Sequence, residues 1–354
     1  MQFISEELDM RWMFVVLKLK LGLAAGLAAL LLAAPVVRAA EAVDMQKRAE
    51  ELKNLRWGMF ICWSFSTFSG QEWTYRVKDC AFFRATEADI DQWVRTAKEA
   101  EMGYILFLTK HHDGFCLWDT KTTPRKVTNA PLGRDVLAEL RKSCDKYGIK
   151  LALYFSEGEF VVDGRELPGG KCYHPGAYTP EMQKAQLKEL LTQYGPIEYI
   201  WFDHAQGTGG LSHQEKIAWC KSLQPGCFIG FNHGDQTGAD IRLGEKGRPG
   251  PLSDHKAAGG YMKDPPSEDY LLAEFTYPIL PRHEGGAMWF YSLPKHDNLC
   301  IPAQRLYASY LGAVKYENIF SINVGPNYEG KLREIDVKTL REVGQMIRDN
   351  AEEK

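Results

Sequence analysis

Short apolar runs recur along this chain, with stretches of helical periodicity between them. The clearest is 104–108, Tyr-Ile-Leu-Phe-Leu, which leads through Thr109 into Lys110, His111, His112 and Asp113. A run without polar alternation suits a strand buried on both faces, the condition of a parallel sheet covered by helices. The polar cluster that ends it falls at a strand's C-terminal end, where barrels and open α/β sheets bind ligands. Comparable runs predict strands at 56–63, 104–110, 150–156, 198–203, 227–232, 271–277, 287–292 and 318–324. Between them, Ile90, Trp93, Val94 and Ala97 form one helical stripe and Val136, Leu137, Leu140 and Cys144 another. Asp135 or Gly133 can start the second helix and Gly148 can end it. A last helix is expected near 335–350. Eight such units predict an α/β fold, a (β/α)8 TIM-like barrel with some irregularity. The segments 158–178 and 234–269 lack periodicity and are rich in Gly, Pro and charge, so they predict long loops. No internal repeat or linker divides the chain.

Composition narrows the picture only a little. At 354 residues and 45% apolar content, one large core is affordable. A net charge of −3 without a long basic run argues against nucleic acid and anionic membrane surfaces as partners. Lys18 and Lys20 precede an apolar run at 21–34, and small residues follow at Val37, Ala39, Ala40 and Ala42. That order predicts a secretory signal over residues 1–40, cleaved after Ala39 or Ala42, because the run is short for a membrane span. The expected mature chain, 41–354, is then a single catalytic barrel, secreted or periplasmic, without stable membrane insertion. Eight cysteines without a CxxC pair predict no defined disulfide framework, and Cys116, Cys227 and Cys300 are expected as buried free thiols.

The predicted strand ends carry the candidate chemistry. They bring up Cys62, Trp63 and Ser64 with Glu72 and Trp73 beyond, then His111 and His112, Tyr154 and Ser156, and Trp201 and Asp203. Further on come Asn232 and His233 followed by Asp240 and Glu245, then Glu274, then Trp289 and Tyr291. Aromatic faces beside histidines and carboxylates suit a sugar, whose C–H patches stack and whose hydroxyls bond. Asp203 ends a buried strand, as a helix cap or as a group facing the pocket. A retaining glycosidase needs two carboxyls about 5–5.5 Å apart, and Glu245 and Glu274 are the candidate partners. A metal site at His111-His112-Asp113 is not expected, since adjacent residues on a strand point to opposite faces.

Five motifs carry a resemblance. Trp57-Gly-Met-Phe-Ile-Cys-Trp-Ser64, Glu72-Trp73, Lys110-His-His-Asp-Gly-Phe-Cys-Leu-Trp118, Trp201-Phe-Asp203 and Asn323-Val-Gly-Pro326 stand in the order seen in α-L-fucosidases, glycoside hydrolase family 29. The chain resembles that family from about residue 50 onward, across the catalytic barrel and without the C-terminal β-sandwich of many members. The resemblance implies a retaining exo-glycosidase acting on a fucosylated glycan or polysaccharide, with no cofactor and no metal. It makes Asp203 the nucleophile and assigns Glu72, Trp73, His111, His112, Tyr154 and Trp201 to sugar binding. The acid/base varies within the family. Asp240-Ile-Arg-Leu-Gly-Glu245 resembles one version of its segment and Ala273-Glu274 another, so Glu245 and then Glu274 are the candidates. Two positions depart from the pattern: Cys62 stands where the family usually has a sugar-binding His, and His233 where many members place an Arg. Cysteine is a weak hydrogen-bonding group, so a modified or different sugar, or a non-catalytic sugar-binding barrel, is the alternative.

Overall fold

A computed structural model describes residues 43–351 apart from 76, 78, 160, 163–164, 167–178, 204–210, 234–236 and 254–268. The expected signal segment and parts of both expected long loops lie outside the described residues. The elements run α1 (Met45–Lys53), β1 (Trp57–Ile61), α2 (Phe65–Ser69), α3 (Ile90–Glu99), β2 (Tyr104–Lys110), α4 (Val136–Tyr147), β3 (Lys150–Ser156) and α5 (Pro180–Gln193). They continue as β4 (Tyr199–Asp203), α6 (His213–Leu223), β5 (Phe228–Phe231), β6 (Ile241–Glu245), β7 (Leu272–Pro278), α7 (Ala303–Tyr316), β8 (Ile319–Val324) and α8 (Glu334–Ala351).

The eight strands form one parallel sheet in the order β5-β4-β3-β2-β1-β8-β7-β6. Its two edge strands, β5 and β6, meet, so the sheet curls into a (β/α)8 barrel. β1, β2, β4, β5 and β8 are buried at every position, because helices cover the outside and side chains fill the inside. The helical stripes behave as their periodicity predicts: Ile90, Trp93, Val94 and Ala97 of α3 and Val136, Leu137, Leu140 and Cys144 of α4 are all buried. Asp135 starts α4 by accepting the Ala138 N–H at 2.9 Å, and Gly148 ends it at φ 68°. Such a cap contributes about 1 kcal/mol.

No ladder joins β5 to β6. Asp240 closes the seam in its place, its backbone N–H donating to the Ile229 carbonyl at 2.9 Å and its carboxylate accepting the Ile229 N–H at 2.9 Å. A Cβ on Gly230 would lie 2.7 Å from the Leu243 side chain and 2.8 Å from the Ile241 carbonyl. Only glycine lets the two edges come this close.

Two elements differ from the expectation. The segment 287–292 is not a strand. Its Met288 and Trp289 N–H groups donate to the Glu72 carboxylate at 2.7 and 3.3 Å rather than to a ladder. The eighth strand is instead β6, inside the stretch expected to be aperiodic loop. It alternates in period two, Ile241 and Leu243 pointing with Glu245 to the barrel interior and Arg242 pointing out.

Candidate active site

The site is assembled at the C-terminal ends of the strands. The pairing of β2 with β3 shifts register between Leu108 and Lys110, an irregularity that re-aims the residues beyond it. Lys110 turns out between the sheet and α5, where it ion-pairs with Glu159, bonds Gln186 at 3.0 Å and lies 4.4 Å over the Phe155 ring. Past the strand end, His111 and His112 both face the cavity, their ring centroids 4.0 Å apart. The expectation of opposite faces therefore fails: the pair sits after β2, where strand alternation no longer applies. Asp113 fixes the turn by accepting the Ser64 hydroxyl at 3.0 Å and the Phe115 N–H at 2.9 Å, which ties the end of β1 to the end of β2. Burial pushes its carboxyl up to about 6.

The cavity between these ends has a volume of about 180 Å³. That is below the ~300–1,000 Å³ of drug-sized pockets and fits one small ring better than a chain. One wall is aromatic. Tyr154 and Trp201 stack with centroids 5.3 Å apart at 22°, Phe60 leans on both, and Phe290 stands edge-on to His111 at 5.0 Å. Glu72, Trp73, Lys246, Met288 and Trp289 form the rim, with Trp73 49% exposed. Burial raises the Glu72 carboxyl although two backbone N–H groups hold one of its oxygens.

Asp203 ends β4 and is largely buried. Tyr154 donates its hydroxyl to Oδ2 at 2.6 Å, and the Asn232 amide donates to Oδ1 at 3.0 Å. His112 Nε2 is 3.6 Å from Oδ2, while its Nδ1 bonds the Ser156 hydroxyl at 2.5 Å. His233 lies just outside the cavity with Nδ1 3.4 Å from Asp203 Oδ1. Burial works against a charge on its ring, but Asp203 outweighs that and raises its pKa.

Glu245 ends β6 at the same mouth and accepts from the same Asn232 amide at 2.8 Å. Burial, and then the charge of Asp203, push its carboxyl up to about 7. Two oxygens that share one donor nitrogen at these distances lie no further apart than the sum of the two bonds, about 5.8 Å.

Glu274 sits elsewhere. Register places it beside Leu243, one pleat below Glu245, deep in the barrel. It is fully buried, accepts the Trp201 indole N–H at 3.3 Å and does not line the cavity. Burial pushes its carboxyl up to about 7.

Cys62 lines the cavity as a buried thiol, raised well above its usual pKa by burial first and then by Glu72. All seven cysteines among the described residues are free, with Cys116 and Cys227 buried and Cys300 partly so. Sequence reasoning passed over Phe60, Leu108, Lys246, Met288 and Phe290, which also line the cavity. Phe60 and Leu108 could have been found by counting inward-facing positions back along β1 and β2. The others sit on irregular backbone that no periodicity marks.

An eight-stranded parallel barrel whose mouth holds a carboxylate pair in a small, aromatic-walled cavity is an arrangement that glycoside hydrolases use. The chain belongs to the α-L-fucosidase family, whose sequence profile matches residues 66–352. It is 30% identical to α-L-fucosidase 1 of Arabidopsis thaliana over 309 residues, which are 81% of this chain and 57% of that protein. The chain thus spans a little over half the length of this plant relative. Its fold is similar to α-L-fucosidase isoenzyme 1 from Paenibacillus thiaminolyticus, with TM-score 0.69, 24% identity, and 88% of this chain and 77% of that one covered. A mutant of the α-L-fucosidase AlfC, solved with 4-nitrophenyl α-L-fucopyranoside, has TM-score 0.64 at 21% identity, covering 87% of this chain and 100% of that one. Among the described residues, no helix is long and apolar enough to cross a membrane.

Proposed function

We propose that this protein is a retaining exo-α-L-fucosidase. The observation that carries the reading is the pair Asp203 and Glu245, held around one Asn232 amide at the mouth of a cavity of about 180 Å³. Asp203 attacks the anomeric carbon while Glu245 gives its proton to the leaving oxygen. A covalent glycosyl ester forms on Asp203, and the leaving group departs as an alcohol. Glu245, now ionised, takes a proton from water, which attacks the same carbon and frees Asp203. A carboxyl raised to about 7 suits this alternation, since it is protonated for the first step and readily ionised for the second. Glu72, Trp73, His111, His112, Tyr154 and Trp201 hold the ring, and the small cavity restricts attack to a terminal sugar. The AlfC complex with an aryl fucoside supports the choice of substrate class.

A specific observation favours a second reading, action on a modified or different sugar. The buried Cys62 thiol presents a weak hydrogen-bonding group to the cavity where the family pattern has an imidazole. A lost bond of this kind costs roughly 0.5–1.5 kcal/mol, enough to change preference between related sugars. Hydrolysis of 4-nitrophenyl α-L-fucopyranoside beside a panel of other aryl glycosides decides between them. With the preferred substrate, Asp203→Ala abolishes turnover; an unchanged rate would sink the mechanism. The N-terminal segment supports export of the chain, and N-terminal sequencing of exported protein, expected to begin near residue 40, tests that.

A further inference from the structure

We infer that Asn232 is the positioning residue of the carboxylate pair, its single amide setting the spacing of Asp203 and Glu245 across the open seam of the barrel. The inference rests on the roles given above to those two acids.

The seam is why a spacer is needed. Asp203 ends β4 and Glu245 ends β6, with β5 between them. Ladder bonds join β4 to β5, so the nucleophile's strand is in register with Asn232. The backbone N–H of Asn232 extends that ladder, donating to the Phe202 carbonyl at 2.8 Å. No ladder joins β5 to β6. The Asp240 bonds close the seam near Ile229, at the start of β6 and far from the mouth. At the mouth, the Asn232 amide bonds Glu245 directly, so the distance between the two acids follows from a side chain rather than from the sheet.

The chemistry of the amide fits the arrangement. An ionised carboxylate only accepts, so the nitrogen of the amide faces Asp203 and, in its ionised state, Glu245 as well. That nitrogen has two hydrogens, and Asp203 Oδ1 at 3.0 Å and Glu245 Oε2 at 2.8 Å take one each. Asn232 is itself 2% exposed, so water does not compete for those hydrogens. Each bond favours the ionised form of its acceptor. Asn232 therefore restrains the upward push that burial and Asp203 exert on Glu245, keeping that carboxyl able to give up its proton. Aspartate at this position has the same shape, but when ionised it offers no donor and adds a charge, so alanine, which adds none, carries the test of spacing and aspartate tests the donor.

The test follows the Glu245 side-chain carbon by 13C NMR across pH in the full chain, in Asn232→Ala and in Asn232→Asp, with the signal assigned by its loss in Glu245→Gln. We expect the Glu245 midpoint to move up by about one pH unit in Asn232→Ala and further in Asn232→Asp. On the aryl fucoside, kcat should fall about 10- to 100-fold in both, with KM changing much less. A Glu245 midpoint unmoved in Asn232→Ala, or an Asn232→Asp protein that matches the parent, overturns the inference. If the parent protein does not hydrolyse the fucoside, the functional reading fails, and the titration still decides the role of Asn232.

Discussion

At the scale of single residues, environment separates two groups of the same chemistry. Asp203 accepts the Tyr154 hydroxyl and the Asn232 amide, two donors that favour its ionised form. Among the described residues Glu245 receives the amide alone, and burial first, then the charge of Asp203, pushes its carboxyl up to about 7. The sign of the pH dependence follows. In the proposed mechanism Glu245 must be protonated to assist departure, so kcat/KM is expected to fall as pH rises through about 7. A pH–rate profile on the aryl fucoside checks this, and a flat profile from pH 6 to 9 would exclude Glu245 as the acid. In Glu245→Ala the basic limb disappears. The loss of rate is smaller for a nitrophenyl leaving group than for a sugar, because the better leaving group needs less protonation.

At the scale of elements, the seam between β5 and β6 governs the site. Gly230→Ala would push a methyl into the Leu243 side chain and the Ile241 carbonyl, at 2.7 and 2.8 Å. Overpacking of this kind costs roughly 1–3 kcal/mol. The variant should melt lower and lose kcat/KM as β6 shifts, measured by thermal unfolding and the fucoside assay; a normal rate would show that Glu245 does not depend on the seam. This scale also shows what was legible in the sequence. β2 could be read because Tyr104 to Leu108 are apolar without interruption, the mark of a strand covered on both faces. β6 could not: it is short, with Arg242 and Gly244 breaking its apolar character and only Ile241 and Leu243 left to mark it. The run 287–292 misled for the opposite reason, since Met288, Trp289 and Phe290 are apolar to wall a cavity rather than to fill a sheet. The acids were legible as residues, but the register that lifts Glu245 to the mouth and drops Glu274 a pleat below exists only in the folded barrel.

At the scale of the whole molecule, the barrel buries ionisable groups that a simpler core would avoid. Glu274 has no opposite charge among the groups that shift it, and burial raises it to about 7 from 4.5. Between those values the folded state binds a proton that the unfolded chain has released, so stability declines as pH rises through that window. Glu274→Gln should remove part of that decline, making the protein roughly 1–3 kcal/mol more stable at pH 8 than its parent while matching it near pH 4. Denaturant unfolding at the two values measures it. Retained turnover in the same variant would place Glu274 in the architecture of the barrel; lost turnover with an intact fold would return it to the chemistry.

The open seam also has a meaning over evolutionary time. Asp203 stands on a strand locked to neighbours on both sides, so a change of its position would disturb two ladders at once. Glu245 stands on an edge strand with a ladder on one side only. A change beside β6 would disturb one ladder rather than two, so of the two proposed catalytic acids Glu245 is the one whose position can drift at less cost to the sheet.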